Sequence, residues 1–150
     1  MNPVIESISQ LYERDLDKLL QELKAYKNEE NLWLIDGEIA NSGGNLVLHL
    51  CGNLRHFIGA MLGGTSFIRQ RDDEFALKDV KRSELVSQIK QTKKSVLETL
   101  AELPEEKLVE VYPVNVFGKE MTTLHFLHHL YGHLNYHMGQ LNYHRRLFDK

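Results

Sequence analysis

The sequence predicts an all-α protein, and three observations support that prediction. Four segments repeat apolar residues at the i, i+3, i+4 spacing of an amphipathic helix. The segments are of similar length and occupy most of the 150 residues. Only one short stretch, near residues 109–117, is rich in valine. We therefore expect a four-helix bundle with more than half of the chain in helices.

The first two helices each have a start signal. Pro3 suits the first turn of a helix, and the apolar spacing then continues to about residue 27. Ser42 is the N-cap candidate of the second helix, because its hydroxyl can accept a hydrogen bond from a first-turn amide. Gly63 and Gly64 are expected to end that helix.

The other two helices follow long connections. The third helix is expected from near Ser83 to Leu103, where Pro104 ends it, and the fourth from Thr122 or Thr123 almost to the C-terminus. The connection over about residues 64–82 is long enough for its flanking helices to run parallel or antiparallel. The Val-rich stretch at 109–117 forms either a short hairpin or an extended loop.

The length of the chain predicts a single domain, residues 1–150.

Composition excludes several classes of function. The net charge is −3 with histidine neutral, and the basic residues are dispersed, which argues against a nucleic-acid partner. No apolar run approaches the ~20 residues of a membrane span, and the acidic N-terminus is unlike a signal peptide. The single cysteine, Cys51, is expected to be a small buried residue and fits a reducing compartment. We expect a cytoplasmic protein.

The segment HHLYGHLNYHMGQLNYHRR, residues 128–146, holds five histidines. His133 and His137 are four residues apart, so their Cβ atoms lie about 5–6 Å apart on one helix face. Both imidazoles can then reach one metal ion at about 2.0–2.1 Å. His144 falls on the same side of the helix. His49 borders the apolar face of the second helix and is the candidate third ligand.

A hydrogen-bonded histidine cluster is the alternative to a metal site. Buried imidazoles need polar partners, and either a metal ion or a network of hydrogen bonds would supply them. Spacing alone leaves both interpretations open for His49, His133 and His137. His125, His128 and His129 are expected to be hydrogen-bonded or solvent-facing residues rather than ligands, with His128 at the surface.

The last helix resembles a known family. HLNYHMGQLNYHRRL is similar to the final-helix signature of the DinB-like (DNA-damage-inducible) superfamily, in which a Gly-Gln pair follows the histidine pair. NLVLHLCGNLRHFIGAMLGG resembles that superfamily's second helix, and its continuation resembles a branch known only as a domain of unknown function. The resemblance implies a four-helix bundle, often a homodimer, with His49, His133 and His137 binding a divalent metal. Gly139 and Gln140 match the signature, whereas Met138 stands where the family often has arginine.

Two functions follow as hypotheses. Three histidines leave an ion open to other ligands, which is typical of a catalytic site, and the resemblance implies a hydrolase or a thiol S-transferase acting on a small thiol or electrophile. Zinc or nickel is the expected metal, with iron or copper as further candidates. The alternative is a metal-stabilised dimerisation or binding domain without catalysis. The candidate catalytic helpers are His56, Gln140 and His144, and the candidates for orienting a substrate are Asn53 and Tyr136.

Overall fold

A computed structural model describes residues 1–150, and it is all-helical without strands. Helices account for 69% of the chain, so the prediction of a mainly helical protein is confirmed. A π-helix, Arg55–Ala60, continues directly from the second helix, and two 3₁₀ turns cover Glu29–Trp33 and Glu105–Val109. The α-helices are α1 (Pro3–Ala25), α2 (Gly43–Leu54), α3 (Arg71–Ala76), α4 (Arg82–Glu102) and α5 (Thr123–Phe148).

Side-chain caps fix the starts of three helices. The Asn2 side chain accepts hydrogen bonds from Val4 and Ile5, and Pro3 follows it as the first helical residue. The predicted cap Ser42 is confirmed, and Thr122 caps the last helix in the same way, since each accepts a hydrogen bond from the amide three residues later. Each cap satisfies a backbone N–H that has no partner within its own helix.

The four long helices share one apolar core. Helices α1 and α2 each contact both α4 and α5. Tyr12 of α1 is fully buried, and its hydroxyl donates a 2.8 Å hydrogen bond to the Leu127 carbonyl of α5. Burial of a core of this kind supplies most of the stability of such helices.

Small residues let the second helix approach α4 closely. A Cβ at Gly59 would overlap the Ser95 hydroxyl, and a Cβ at Gly63 would overlap the Thr99 hydroxyl. The second helix ends at Ala60, three residues before the predicted stop at Gly63, and residues 61–63 form a turn. It also changes to π geometry at Arg55, which the apolar spacing did not predict.

The connections differ from their predicted form. The stretch 64–82 contains α3, a six-residue helix that the sequence analysis did not predict. The Val-rich stretch at 109–117 forms no hairpin, and its one sheet-like pairing is an antiparallel bridge between Val111 and Thr122. The extended-loop alternative is therefore correct. No helix combines the length and apolar character that a bilayer crossing requires.

A buried carboxylate joins α1 to α5. Asp15 accepts hydrogen bonds from Arg14 at 2.8 Å, from Asn135 at 3.0 Å and from the Tyr131 hydroxyl. Burial opposes ionisation of Asp15, but these hydrogen bonds outweigh it and lower the pKa to about 2. A carboxyl whose pKa is lower in the folded chain stabilises the fold above its unfolded pKa, here 3.8. That stabilisation is lost as the pH falls from 3.8 towards 2.

Replacing Asp15 with Asn is therefore expected to destabilise the protein at pH 7 by about 1–3 kcal/mol, because charge-assisted hydrogen bonds are lost. The difference from the parent should shrink as the pH falls towards 2, where the parent's own carboxyl is protonated. Thermal unfolding of both proteins at about pH 7, 4 and 2.5 measures this difference in stability. An equal difference at all three pH values would contradict this role of Asp15.

Candidate metal centre

Three histidines from two helices converge on one point. His133 and His137 lie one turn apart on α5, and His49 faces them from α2. The Nε2 atom of His133 is 3.1 Å from Nε2 of His49 and 3.1 Å from Nε2 of His137. Nitrogens bound to one ion at about 2.0–2.1 Å, at angles of roughly 90–109°, lie roughly 2.9–3.4 Å apart. The observed spacing is therefore compatible with three ligands of one ion, and also with hydrogen bonds between the rings.

Hydrogen bonds on the far side of two rings determine which nitrogens carry protons. Nδ1 of His49 is 3.0 Å from the Glu74 carboxylate, and Nδ1 of His137 is 2.7 Å from Oε1 of Gln140. A carboxylate or amide oxygen can only accept, so each Nδ1 carries the proton and donates it. Nε2 of both rings is then left with a lone pair that points towards His133.

Glu74 is the residue of this site that the sequence analysis missed. It lies on α3, is buried, and also accepts hydrogen bonds from Arg69 Nε at 2.9 Å and Arg69 Nη2 at 3.0 Å. Burial opposes its ionisation, but the hydrogen bonds from His49 and Arg69 outweigh this and lower the pKa of Glu74. A carboxylate that orients a histidine in this way is a common outer partner of protein metal sites.

Gly52 makes room for this carboxylate. A Cβ at Gly52 would lie 2.6 Å from Cδ of Glu74 and would overlap its Oε2. Gly52 stands three residues after His49, on the side of α2 that α3 covers. A glycine there was the one signal in the sequence that another group approaches α2 closely beside His49.

The surroundings keep His133 and His137 uncharged near neutral pH. Burial, followed by the charges of His137 and His49, lowers the pKa of His133 to about 4. Burial also lowers the pKa of His137, against an opposing hydrogen bond to Gln140. The Phe75 ring of α3 lies 4.9 Å from the His49 ring and shields it. Neutral imidazole is the form that binds a metal ion.

Gln140 is the one predicted catalytic helper with a hydrogen bond to a histidine of this group, namely His137. His144 lies elsewhere, because its Nδ1 bonds the Tyr26 hydroxyl at 2.6 Å and its Nε2 bonds the Leu34 carbonyl at 2.8 Å. His56 lies in the π-helix, with its ring 4.8 Å from that of Phe57. Neither ring belongs to the three-histidine group.

The remaining predicted residues line the edges of the group or lie outside it. Tyr136 is exposed, with its ring 5.1 Å from that of His137. Asn53 is buried on α2, one turn after His49. Met138 is partly buried and packs against the core, as expected of an apolar residue at that position. His125, His128 and His129 are exposed, as predicted.

Comparison with known families identifies one family that matches nearly the whole chain. The model of the family described as Protein of unknown function (DUF1572) matches residues 3–150. The chain belongs to this family. The prediction that the chain is a domain of unknown function is therefore confirmed. None of the curated proteins compared with this DUF1572 chain matches it.

Proposed function

We propose that this DUF1572 protein binds one divalent metal ion through Nε2 of His49, His133 and His137. The observation that supports this most directly is the convergence of the three Nε2 atoms, with 3.1 Å between neighbouring nitrogens. The ligand atoms of these histidines lie within 4.8 Å of one another, so one ion can reach all three. Zinc or nickel is the proposed ion, since imidazole suits both, and iron or copper are the alternatives.

The hydrogen bonds favour an ion over a network of histidines. Glu74 and Gln140 each hold a proton on Nδ1, so His49 and His137 direct two lone pairs at the same place. A proton on Nε2 of His133 would have to be shared between those two acceptors, which weakens both hydrogen bonds. A cation instead accepts all three lone pairs together.

We further propose that the protein is an enzyme of hydrolase or thiol S-transferase type. Three neutral histidines leave positions on an ion free for other ligands, as in catalytic rather than structural sites. An ion held there would lower the pKa of a water or small thiol and so supply a nucleophile near neutral pH. The chain itself contributes the orientation of two imidazoles, His49 through Glu74 and His137 through Gln140, and the shielding of His49 by Phe75.

The proposal also covers the fold family, the oligomeric state and the cellular compartment. We propose that residues 1–150 form a single four-helix bundle of the DinB-like superfamily, because four long helices surround one core and α2 and α5 carry the superfamily's histidine positions. A cytoplasmic homodimer acting on a small thiol or electrophile completes the proposal. Nucleic acid is not the proposed partner, since the chain carries a net charge of −3.

Metal analysis of the purified protein tests the proposal. We expect one ion per chain, removable by a chelator, and a thermal unfolding midpoint that falls when the ion is removed. A Co²⁺-loaded sample should change its visible spectrum when a small thiol is added, because an open ion exchanges its outer ligands. A protein that binds neither Zn²⁺ nor Co²⁺ in titrations would overturn the metal assignment.

The second candidate function is a metal-stabilised dimerisation or binding domain. It is favoured by the positions of the three histidines, which join α2 to α5 and would let an ion stabilise the fold. This candidate predicts that the ion is present and stabilising but that the Co²⁺ spectrum does not respond to thiols. The same two experiments therefore separate the enzyme from the structural protein.

A further inference from the structure

Only two buried side-chain polar atoms in the chain lack a hydrogen-bond partner. They are Oδ1 of Asn53 and Nδ1 of His133. The Asn53 side chain is buried, with 7% of the residue exposed, and forms no hydrogen bond. A buried unpaired group of this kind costs roughly 1–3 kcal/mol, so two of them in one molecule require an explanation.

The two atoms lie on facing stretches of α2 and α5. The ring centroids of His49 and His133 are 4.9 Å apart, and those of Phe57 and Phe126 are 5.3 Å apart, so the two helices run antiparallel. Asn53 lies midway between His49 and Phe57 along the chain. It therefore lies level with the part of α5 between Phe126 and His133, one turn of α2 from His49.

The chemistry of the two atoms is complementary. If Nε2 of His133 binds the ion, its proton must be on Nδ1, and this nitrogen becomes a buried donor without an acceptor. Metal-bound histidines almost always donate this second N–H to an oxygen. Glu74 serves His49 in this way and Gln140 serves His137. His133 is the one histidine of the three without such an oxygen.

We propose that Asn53 is the positioning residue of His133, and that its Oδ1 accepts the Nδ1–H of His133 once the ion is bound. This inference rests on the proposed metal site. It gives each of the three imidazoles its own acceptor, from Glu74 on α3, Asn53 on α2 and Gln140 on α5. Holding all three rings by their outer nitrogens would keep the three Nε2 atoms directed at the bound ion.

Titration with Co²⁺ and with Zn²⁺ tests the role of Asn53 in three variants. Asn53→Leu removes the acceptor while keeping a similar volume, and the Co²⁺ affinity should fall about 10–100-fold. The metal-free variant should be as stable as the parent or more stable, because an unpaired buried amide has been removed. Asn53→Asp keeps an acceptor oxygen and should bind Co²⁺ at least as tightly as the parent. The control is Asn142→Leu on α5, where the amide donates only to Glu22, and its Co²⁺ affinity should be unchanged.

The outcomes distinguish this inference from the metal site itself. If the parent binds neither metal ion, the proposed function itself is wrong. A parent that binds tightly, together with an Asn53→Leu variant of equal affinity and spectrum, overturns the role of Asn53 alone. An Asn53→Leu variant that loses metal-free stability but keeps its Co²⁺ affinity assigns Asn53 to the core and also overturns it.

A measurement on the parent covers the case in which Asn53→Leu does not fold. In the Zn²⁺-loaded parent, the Nδ1 proton of His133 should give a resolved NMR signal that exchanges slowly with solvent, and Asn53→Asp should shift that signal. A His133 signal that is the same in the parent and in Asn53→Asp would contradict the proposed hydrogen bond.

Discussion

Replacing His49 with Ala is expected to release the metal ion and to remove the stabilisation that the ion provides. The variant keeps only His133 and His137, which stand one turn apart on a single helix and hold an ion weakly. The loss of affinity should exceed the roughly 10–100-fold loss that follows removal of an outer partner. An ion present at 100 times its dissociation constant adds about 2.7 kcal/mol to the free energy of unfolding. That contribution should disappear, because the link between α2 and α5 is lost.

Metal content and thermal unfolding, each measured with and without a chelator, check this prediction. The chelator should lower the unfolding midpoint of the parent and leave that of His49→Ala unchanged. His128→Ala is the matched control, since His128 is exposed and its Nδ1 contacts only the Leu124 carbonyl of its own helix. The control should keep both the ion and the midpoint of the parent. If His49→Ala holds one ion as tightly as the parent, the assignment of His49 as a ligand is wrong.

The sequence predicted the three converging histidines because their positions depend on helix geometry. The four-residue spacing of His133 and His137 puts them on one face of any helix. His49 borders the apolar face of α2, and an apolar face must turn towards the other helices. These relations hold wherever the helix lies in the fold. The meeting of α2 with α5 came from the family resemblance, not from the spacing.

Glu74 was not predicted because nothing local to it indicates its position. The six residues of α3 are too few for a periodic pattern, and Glu74 reaches His49 across 25 positions of sequence. Its neighbours Asp72 and Asp73 make it look like part of an exposed acidic run. Only the packing of α3 over Gly52 buries this one carboxylate and separates it from the other two.

His144 shows the limit of a helical wheel. Seven residues bring it back to nearly the same side of α5 as His137, but they also carry it about 10 Å along the helix axis. At that level it meets Tyr26 and the Leu34 carbonyl, which belong to the segment after α1. A helical wheel gives the direction in which a side chain points, but not its position along the helix axis. His56 lies the same seven residues after His49 and is likewise outside the group.

Helix starts were predictable where a start signal is present in the sequence, as at Pro3, Ser42 and Thr122. The π-helix at Arg55–Ala60 was not, because its hydrogen bonds depend on how α2 packs against α4. The burial of Asp15 was not predictable either. This residue lies on a largely buried face of α1, and Tyr131 and Asn135 of α5 stabilise its carboxylate there. In each case the decisive partner lies on another helix, distant in sequence.

Replacing Gly52 with Ala tests the most crowded of these contacts. The new Cβ would overlap Oε2 of Glu74 and lie 2.6 Å from its Cδ. The carboxylate cannot simply turn aside, because it is buried and held by His49 and by two hydrogen bonds from Arg69. Crowding of this kind costs about 1–3 kcal/mol, which exceeds the roughly 0.5–1 kcal/mol that Ala gains over Gly within a helix. We expect a net loss of stability.

The displaced carboxylate should also weaken metal binding, since His49 loses the acceptor that orients it. We expect the Co²⁺ affinity of Gly52→Ala to fall about 10–100-fold, as for the loss of other outer partners. Gly132→Ala is the control, because Gly132 is also within a helix but nothing lies within 4 Å of a Cβ placed there. It should gain roughly 0.5–1 kcal/mol of stability and keep the parent's affinity. Chemical unfolding of the metal-free proteins and Co²⁺ titration measure the two effects. If Gly52→Ala matched Gly132→Ala in both, Glu74 would have no fixed position beside His49.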